Sequence, residues 1–362
     1  MNRPRFRFVL PLVTLLLLAP AALAASAPST WRRLPAAPIT PDFGASTSVW
    51  TGTEMLAFGR DVITAKDANG APYIVKQVNV AAAYDLRANT WRRLTPPAGP
   101  TGAAGGYSSV WTGKEMLVWS AFDQEAFDPV TNRWRPLPAA PTTGALVVWT
   151  GRELIGWGGG CCGDAFDAGS AYNAAANRWR KLPRSPLAGS QHPIGAWTGR
   201  ELIILVGGTN PDGKPWPARL ARAAAYNPTK NTWRRIAPLP SRETGMLAVW
   251  DGRELLVVGA PSSFAYNPRT NRWRRLPATG ATGSRTTAVW TGTELVVCSL
   301  QSGRVLAYDP RATRWSRLPT APLPRRVEAT SVWTGHAMIV WGGVATKTWG
   351  SYPVAGAALT PR

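Results

Sequence analysis

The sequence predicts an all-β protein, a seven-bladed β-propeller of four-stranded blades, and two repeated patterns carry this prediction. The first is an apolar residue followed by Trp-Thr-Gly or Trp-Asp-Gly, and it occurs seven times, at Trp50, Trp111, Trp149, Trp197, Trp250, Trp290 and Trp333. The second is an aromatic residue, six intervening residues and a tryptophan. It occurs six times, as Tyr84 to Trp91, Phe127 to Trp134, Tyr172 to Trp179, Tyr226 to Trp233, Tyr266 to Trp273 and Tyr308 to Trp315. A fixed period of this kind is the sequence signature of a repeat architecture.

Each repeat contains four short strand-like segments. In the repeat from Trp250 to Leu276 these segments read AVW, ELLVVG, FAYN and RWRRL. Turn residues separate them, with Asp251-Gly252 after the first segment and Asn267-Pro268 after the third. A repeat of about 48 residues fits a four-stranded propeller blade.

The N-terminal segment is predicted to close the ring. A seventh copy of the fourth-strand pattern, STWRRLP around Trp31, stands without an aromatic residue before it. The last repeat ends with Ala357-Ala358-Leu359, which matches Ala224-Ala225-Tyr226 but is not followed by a fourth strand. We therefore expect the strand around Trp31 to complete the seventh blade, which removes two free sheet edges.

Residues 1–24 have the order of a secretory signal peptide. Arg3, Arg5 and Arg7 precede an apolar run from Phe8 to Leu18, and small residues lead to Ala24. We expect cleavage near Ala24, secretion to the periplasm or the extracellular space, and a single propeller domain over residues 25–362. No later segment approaches the roughly 18 unbroken apolar residues of a membrane span.

The chain is strongly basic. Its 41 Lys+Arg and 20 Asp+Glu residues give a formal net charge of +21, or +18 without the three arginines of the signal segment. Such a charge favours anionic partners. The expected partner is an anionic glycan or a protein. Nucleic acid is disfavoured because the loops lack a series of aromatic residues for base stacking, and the protein is expected to be a monomer.

The two patterns resemble the kelch repeat, in which a double glycine, a tyrosine and a tryptophan recur at fixed spacing. The glycines are retained as Gly158-Gly159-Gly160, Gly207-Gly208 and Gly342-Gly343. The resemblance covers residues 29–362 and suggests an exported bacterial-type relative of the galactose oxidase central domain. It implies the architecture and leaves the function open, because kelch-like propellers include interaction modules and enzymes, among them galactose oxidase and a periplasmic sialic-acid mutarotase.

The two ends of the predicted ring differ in regularity. We call the loops joining strands one to two and three to four the repeat rim, where Thr-Gly-x-Glu turns recur and a structural role is expected. The loops joining strands two to three and strand four to the next blade form the variable face. Loops of irregular length on a rigid scaffold are common ligand sites, so we expect the ligand on the variable face. Asn69-Gly70 and Asp212-Gly213 predict hairpins that project from it.

The repeated arginines of strand four are expected to be structural. Their stems can cover the neighbouring blade, and their charge discourages pairing of strand edges. A peripheral belt for polyanions is the alternative.

The binding residues are sought outside the repeat. Arg242, Arg285 and Arg326 lie in loops that lead to the central mouth, where they could together hold a carboxylate or phosphate. His192 and Trp216, on the same face, complete the predicted binding set.

The cysteines and histidines give no metal site. Cys161 and Cys162 are adjacent, and either a disulfide between them or two free thiols is compatible with the sequence. Cys298 is expected in the core. His192 and His336 are the only histidines and are predicted on opposite faces, which disfavours copper chemistry of the galactose oxidase kind.

The sequence therefore favours a binding or interaction module over an enzyme, with no catalytic residue, metal or cofactor predicted. The alternative is a carbohydrate-active enzyme, such as a mutarotase or epimerase for an acidic sugar. Its acid and base groups would come from residues such as Glu243, Glu328, Asp164 or His192.

Overall fold

The structure is a computed structural model, and it describes residues 28–41, 46–70, 72–98, 106–120, 124–160, 163–207, 222–241, 246–259, 262–279, 286–345 and 355–361. The described residues form strands and loops, with no helix long and apolar enough to cross a membrane. The strands, in chain order, are β1 (Thr30–Arg33), β2 (Ser46–Trp50), β3 (Glu54–Lys66), β4 (Pro72–Asp85), β5 (Thr90–Arg93), β6 (Ser108–Trp111), β7 (Met116–Trp119), β8 (Gln124–Asp128), β9 (Arg133–Pro136), β10 (Leu146–Trp149), β11 (Glu153–Trp157), β12 (Gly169–Asn173), β13 (Arg178–Lys181), β14 (Ile194–Trp197), β15 (Leu202–Leu205), β16 (Ala223–Asn227), β17 (Thr232–Arg235), β18 (Leu247–Trp250), β19 (Leu255–Val258), β20 (Phe264–Asn267), β21 (Arg272–Arg275), β22 (Thr287–Trp290), β23 (Leu295–Ser299), β24 (Arg304–Asp309), β25 (Arg314–Leu318), β26 (Arg326–Val327), β27 (Thr330–Trp333), β28 (Met338–Trp341), β29 (Val344–Ala345) and β30 (Gly356–Thr360).

The strands form seven four-stranded antiparallel blades, which confirms the predicted fold. Blades one to six are β2 to β5, β6 to β9, β10 to β13, β14 to β17, β18 to β21 and β22 to β25. The seventh blade has the order β27-β28-β30-β1, so the N-terminal strand closes it as predicted. The first strands of neighbouring blades contact each other all the way around the ring.

The core lies between the blades rather than within a single sheet. Seven clusters of buried apolar side chains are present, and each joins residues from two neighbouring blades. Cys298 on β23 is 1% exposed in one of them, as predicted. Burial raises the pKa of its thiol to about 12.

The aromatic spacing in the sequence is a cross-strand pair. Tyr266 on the third strand of blade five lies directly opposite Trp273 on the fourth, with ring centroids 5.0 Å apart. The six residues between them complete one turn, in which Asn271 adopts a positive φ of 54°. The Tyr266 hydroxyl donates a hydrogen bond to Asn271 Oδ1 over 2.8 Å. The spacing is therefore set by the length of the turn.

The fourth-strand tryptophans join each blade to the one before it. In all seven blades the indole N–H donates to the backbone carbonyl of the residue four positions after the preceding blade's tryptophan, over 2.6 to 3.1 Å. Trp31 donates to Pro319, and Trp91 donates to Pro35, so the closing strand both gives and receives one of these bonds.

In blades one to five the arginine directly after the fourth-strand tryptophan forms a clamp within its blade, and in several blades the clamp also reaches the next blade. The arginine forms a bidentate salt bridge with the glutamate of its own Thr-Gly-x-Glu or Asp-Gly-x-Glu turn, over 2.6 to 2.8 Å at the shorter contact. Arg180 and Arg274 also donate to the tyrosine hydroxyl of the next blade. The structural role predicted for these arginines is thus more specific than covering an edge.

We expect the clamp to give a pH-dependent contribution to stability, as in the Arg234–Glu201 pair. The hydrogen bond from Arg234 lowers the pKa of Glu201, against the effect of burial. A lowered carboxyl pKa stabilises the folded state above the unfolded value, and this contribution is lost as the pH falls through the folded value. Because the Arg234 side chain is 39% exposed, Glu201→Gln should lower the free energy of unfolding by only about 1 kcal/mol at neutral pH.

Urea unfolding from about pH 7 to about pH 3 measures this effect. The difference between wild type and Glu201→Gln should vanish at the acidic end. An Arg234→Gln variant and the double variant complete a mutant cycle, and a coupling that stays constant over this pH range would contradict the assignment.

Candidate functional site

A cavity of about 900 Å³ opens at the variable-face end of the central channel. It is built mainly from the starts of first strands, because these strands line the channel and begin at this face. Its lining residues are Ser46, Thr47, Arg60, Gly106, Tyr107, Ser108, Ser109, Ala145, Leu146, Val147, Thr287, Ala288, Glu328, Ala329, Thr330 and Ser331. The predicted location of the site, the variable face, thus contains a cavity large enough for a small ligand.

The first strands differ around the ring in the type of residue with which they begin. The first strands of blades six, seven, one and two begin with serine or threonine, whereas those of blades three, four and five begin with leucine or isoleucine. Hydroxyl pairs join neighbouring blades among those that begin with serine or threonine. Thr47 and Ser109 are 2.6 Å apart, and Thr287 contacts Ser331. This distribution suits a ligand that has both hydroxyl groups and an apolar face.

Glu328 is held at the cavity by an unusual backbone. Among the described residues, seven non-glycine positions have positive φ, and six of them occupy the same turn position in blades one to six. Glu328, with φ of 59°, is the seventh, and it stands outside that repeat. Non-glycine residues in this region are strained, and such strain concentrates at functional sites.

The loop that carries Glu328 is fixed by its neighbours. Just before it, β26 pairs with β29, with Val327 opposite Val344. Gly343 packs so closely that a Cβ there would lie 2.6 Å from the Val327 carbonyl oxygen, and its φ is +85°. The strained position is therefore supported by a two-stranded sheet and a glycine contact.

Arg326 anchors the same loop through hydrogen bonds to backbone carbonyl groups. Its side chain is buried, with 0% exposure. The guanidinium donates to the carbonyl oxygens of Pro324, Gly342 and Ala355 over 2.9 to 3.2 Å. Burial lowers its pKa to about 10, so it remains charged at neutral pH.

Arg60 supplies a cation to the cavity from another blade. It lies on β3, opposite Asn79 of β4, where these two strands continue beyond the blade as a long hairpin. Its side chain is half-buried. A guanidinium and a carboxylate from different blades thus line one cavity, together with hydroxyl groups.

The hairpin itself is the one predicted from Asn69-Gly70. The turn over residues 67–70 is closed by a hydrogen bond from Gly70 N to Asp67 O. Beyond a bulge between Ile63 and Thr64, the hairpin exposes Ile63, Tyr73, Ile74 and Val75, each about half accessible to solvent. It therefore presents apolar side chains next to the cavity mouth.

The structure describes two of the five predicted binding residues, Arg326 and His192. Arg242, Arg285, Trp216, Cys161 and Cys162 lie outside the described residues, as does the second predicted hairpin at Asp212-Gly213, so these expectations remain predictions. Arg326 corrects the sequence interpretation in one respect. It was expected to offer its guanidinium to a ligand, but that group is buried and donates to backbone carbonyls, because the loop folds over it.

His192 is not among the residues that line the central cavity. It is exposed in the loop before β14, next to the loop that carries Asp164. Gln191 Nε2 donates to the Asp164 carbonyl oxygen over 2.7 Å, which holds the two loops together. The exposed His336 lies in the turn between β27 and β28 on the repeat rim, so the two histidines are on opposite faces.

The fold is similar to that of a solved fungal copper protein. No protein-family model and no curated protein sequence matches the chain. The structure is similar to one described as a novel fungal alcohol oxidase with catalytic diversity among the AA5 family, in complex with copper. The TM-score is 0.68 and the identity 11%, over 92% of this chain and 76% of that chain. The chain shares the propeller fold of that protein. At this identity the likeness concerns the fold.

The described residues of this propeller do not fit a copper centre with imidazole ligands. The described part of the chain contains no cluster of three His, Cys, Asp or Glu side chains that could hold a metal. The chain has only two histidines, and they lie on opposite faces. The donor set thus differs in kind from a site with imidazole ligands.

Sequence reasoning named Glu328 among the possible acid–base groups but missed Arg60 and the hydroxyl residues of the cavity, although two signals were present. The change from serine and threonine to leucine and isoleucine at the starts of the first strands is visible in the repeats. Arg60 is visible as the residue that replaces the second glycine in Gly59-Arg60. The positive φ of Glu328 has no sequence signal, since glutamate does not favour that conformation.

Proposed function

We propose that this protein is an exported binding module that holds a small acidic carbohydrate in the central cavity of its variable face. The observation that carries the proposal is the lining of the cavity, where Arg60 and Glu328 stand among serine and threonine hydroxyls. A guanidinium binds a sugar carboxylate by two parallel hydrogen bonds, and hydroxyls and a carboxylate can hold sugar hydroxyls. Leu146 and Val147, which also line the cavity, can contact the ring. The signal segment at residues 1–24 supports export.

The test is calorimetric titration of the mature protein with galacturonate and N-acetylneuraminate, and with galactose as the neutral comparison. Arg60→Gln should weaken binding of the acidic sugars roughly tenfold or more, because a hydrogen bond to a charged group contributes about 1.5–3 kcal/mol. The matched control is Arg87→Gln, an exposed cation on the repeat rim. Equal affinity for galactose, or an unchanged dissociation constant in Arg60→Gln, would refute the proposal.

The β3–β4 hairpin supports the other expected partner class, a protein. Its exposed apolar side chains would be covered by a partner seated on the variable face. Replacing Ile74 and Val75 with serine should then abolish capture of that partner while sugar binding is retained. Loss of sugar binding in the same variant would point to a single site instead.

A second candidate function is acid–base catalysis on an acidic sugar, as in a mutarotase. The observation that favours it is Glu328, a carboxylate held in a strained conformation in the cavity that also contains Arg60. In such a reaction a base takes the proton of the anomeric hydroxyl while the ring C–O bond breaks and the ring oxygen gains a proton. Exchange between sugar anomers, followed by NMR, should slow in Glu328→Gln by a larger factor than the factor by which binding weakens. Exchange at the uncatalysed rate with wild-type protein excludes this candidate.

A further inference from the structure

A second large cavity lies on the repeat rim, on the side of the ring opposite the proposed carbohydrate site. It is a cleft of about 1000 Å³ between blades four and five. We call it the rim cleft. Its lining residues are Thr198, Arg200, Glu201, Asn227, Lys230, Thr232, Arg234, Trp250, Gly252, Arg253, Asn267, Pro268, Arg269 and Thr270. The rim turns that form it belong to the repeat, whose structural role does not require a cleft rich in cations.

The charges of the rim cleft are unbalanced. Arg234 is engaged by the bidentate bridge to Glu201. Four further cations remain, and all four are exposed. They are Arg200, Lys230, Arg253 and Arg269, and none of them has a salt bridge within the described part of the chain.

The nearby carboxylates do not neutralise these cations. Glu201 is paired with Arg234, and its pKa is lowered by that hydrogen bond first, and by the charges of Arg200 and Lys230 in addition. Asp251 accepts hydrogen bonds from the backbone N–H groups of Arg253 and Glu254, over 2.7 and 2.6 Å. Asp251 keeps its negative charge in this turn, but the four exposed cations outnumber it, so the cleft keeps a positive potential.

A comparison with the other blades shows that the scaffold does not demand these cations. At the turn position of Arg200 and Arg253, blades one and six carry Thr53 and Thr293. At the position of Lys230, blades one, three and six carry alanine. The first residue of the adjoining turn is aspartate in blades one, two and six but asparagine in blades three, four and five, which removes a negative charge.

The rim cleft also offers an apolar surface. Trp250 and Pro268 are half-buried and both line the cleft. An indole next to cations suits a pyranose ring that bears acidic groups, because the ring stacks on the aromatic face while the acid groups reach the cations. Single-stranded nucleic acid would need successive aromatic side chains for its bases, and Trp250 is the only aromatic residue lining the cleft within the described residues.

We propose that the rim cleft is a second binding site, independent of the central cavity, for a glycan chain bearing sulfate, phosphate or carboxylate groups. The four cations contact the acidic groups, and Trp250 contacts one sugar ring. A single molecule could then hold a small sugar on one face and an acidic polymer on the other.

In the test variants, each newly introduced residue is one that stands at the same position in another blade. The cleft variant carries Arg200→Thr, Lys230→Ala, Arg253→Thr and Arg269→Ala. The matched control loses the same number of exposed cations elsewhere on the repeat rim, through Arg87→Ala, Lys114→Thr, Arg152→Thr and Arg311→Ala. Both variants keep every clamp arginine and glutamate. Their melting temperatures and circular dichroism should match those of the wild type.

Binding is measured with dextran sulfate, neutral dextran, inorganic polyphosphate and oligothymidylate over a series of salt concentrations. We expect the cleft variant to bind dextran sulfate roughly tenfold or more weakly, with a log–log salt slope less steep by about 3. The control and Arg60→Gln should bind as the wild type does. Dextran sulfate should also bind more tightly than polyphosphate at equal charge, because polyphosphate has no ring to stack.

Three results would overturn the proposal. Equal losses in the cleft variant and the control would mean that only the total charge matters. Equal or tighter binding of polyphosphate would remove the role of the sugar ring. Tighter binding of oligothymidylate, lost in the cleft variant, would assign the cleft to nucleic acid. None of these results depends on whether the central cavity binds a sugar.

Discussion

Deletion of residues 29–35 should abolish cooperative folding of the entire ring, although it removes only one short strand at the edge of one blade. The deleted segment contains β1, which pairs with β30 from Thr30 opposite Thr360 to Arg33 opposite Ala357. Without it, β30 becomes an open edge, and such edges promote aggregation. Thermal unfolding followed by circular dichroism and the soluble yield of the purified protein measure the effect.

The expected loss is large because the segment makes contacts on both sides of the closure. Trp31 donates to Pro319 in the preceding blade, and the Pro35 carbonyl accepts from Trp91 in the following one. Arg32 donates to the Tyr84 hydroxyl. Truncating one large buried apolar side chain costs about 2–5 kcal/mol, and a whole domain is stable by only about 5–15 kcal/mol. Removing the complete strand therefore approaches the total stability.

A circular permutant shows whether the protein needs the strand itself or needs the strand at the N-terminal end of the chain. In this variant residues 29–35 are removed from the N-terminus and joined after residue 362 by a short flexible linker, so that the seventh blade is continuous. It should fold and melt close to the wild type. If the simple deletion melts as the wild type does, the strand does not close the ring. If the permutant stays unfolded, the N-terminal location matters for another reason.

The fold was predictable because the sequence contains the same local pattern once in each of six repeats. The Tyr266 to Trp273 spacing reflects a turn of fixed length between paired strands, and five other turns repeat it. A local rule repeated in this way constrains the whole architecture, since one blade cannot bury its faces alone. The closure around Trp31 followed from the same rule, because a seventh fourth strand was otherwise missing.

The blade clamp could not be predicted from local patterns. The repeated arginine and the repeated glutamate were both visible, but Arg274 lies on β21 and Glu254 in the turn before β19. Their pairing depends on how strand four lies over that turn. The third residue of this clamp, Tyr308, comes from the next blade. Alternation along a strand gives the face of a side chain but not its partner across an interface.

Of the candidate site, the sequence predicted only that it lies on the variable face. Arg326 was expected at the mouth because of its place before the first strand, but its loop folds back so that Gly342 and Ala355 accept its hydrogen bonds. Glu328, two residues later, lines the cavity instead. The direction of a side chain in an irregular loop is set by tertiary contacts, and these have no period in the sequence.

Replacing Arg326 with methionine should lower the free energy of unfolding by about 3–5 kcal/mol, because methionine fills part of the space but donates no hydrogen bond. The carbonyl groups of Pro324, Gly342 and Ala355 would lose their donor in a buried place. The matched control is Arg325→Met, since Arg325 is the adjacent cation and is exposed. Urea unfolding of both variants measures the difference, and the control should change little.

The same variant distinguishes an anchor from a ligand residue. If Arg326 anchors the loop of Glu328, backbone amides at residues 326–329 and 342–345 should exchange hydrogen faster in Arg326→Met. Those in β14 to β21 should be less affected, because they belong to blades four and five. Arg326→Lys should restore part of the protection, since an ammonium group can still donate to the carbonyls but cannot span them as a guanidinium does. A different result would contradict the anchor role: Arg326→Met unfolds like the wild type and loses only its affinity for an acidic sugar. In that case the guanidinium contacts the ligand and does not anchor the loop.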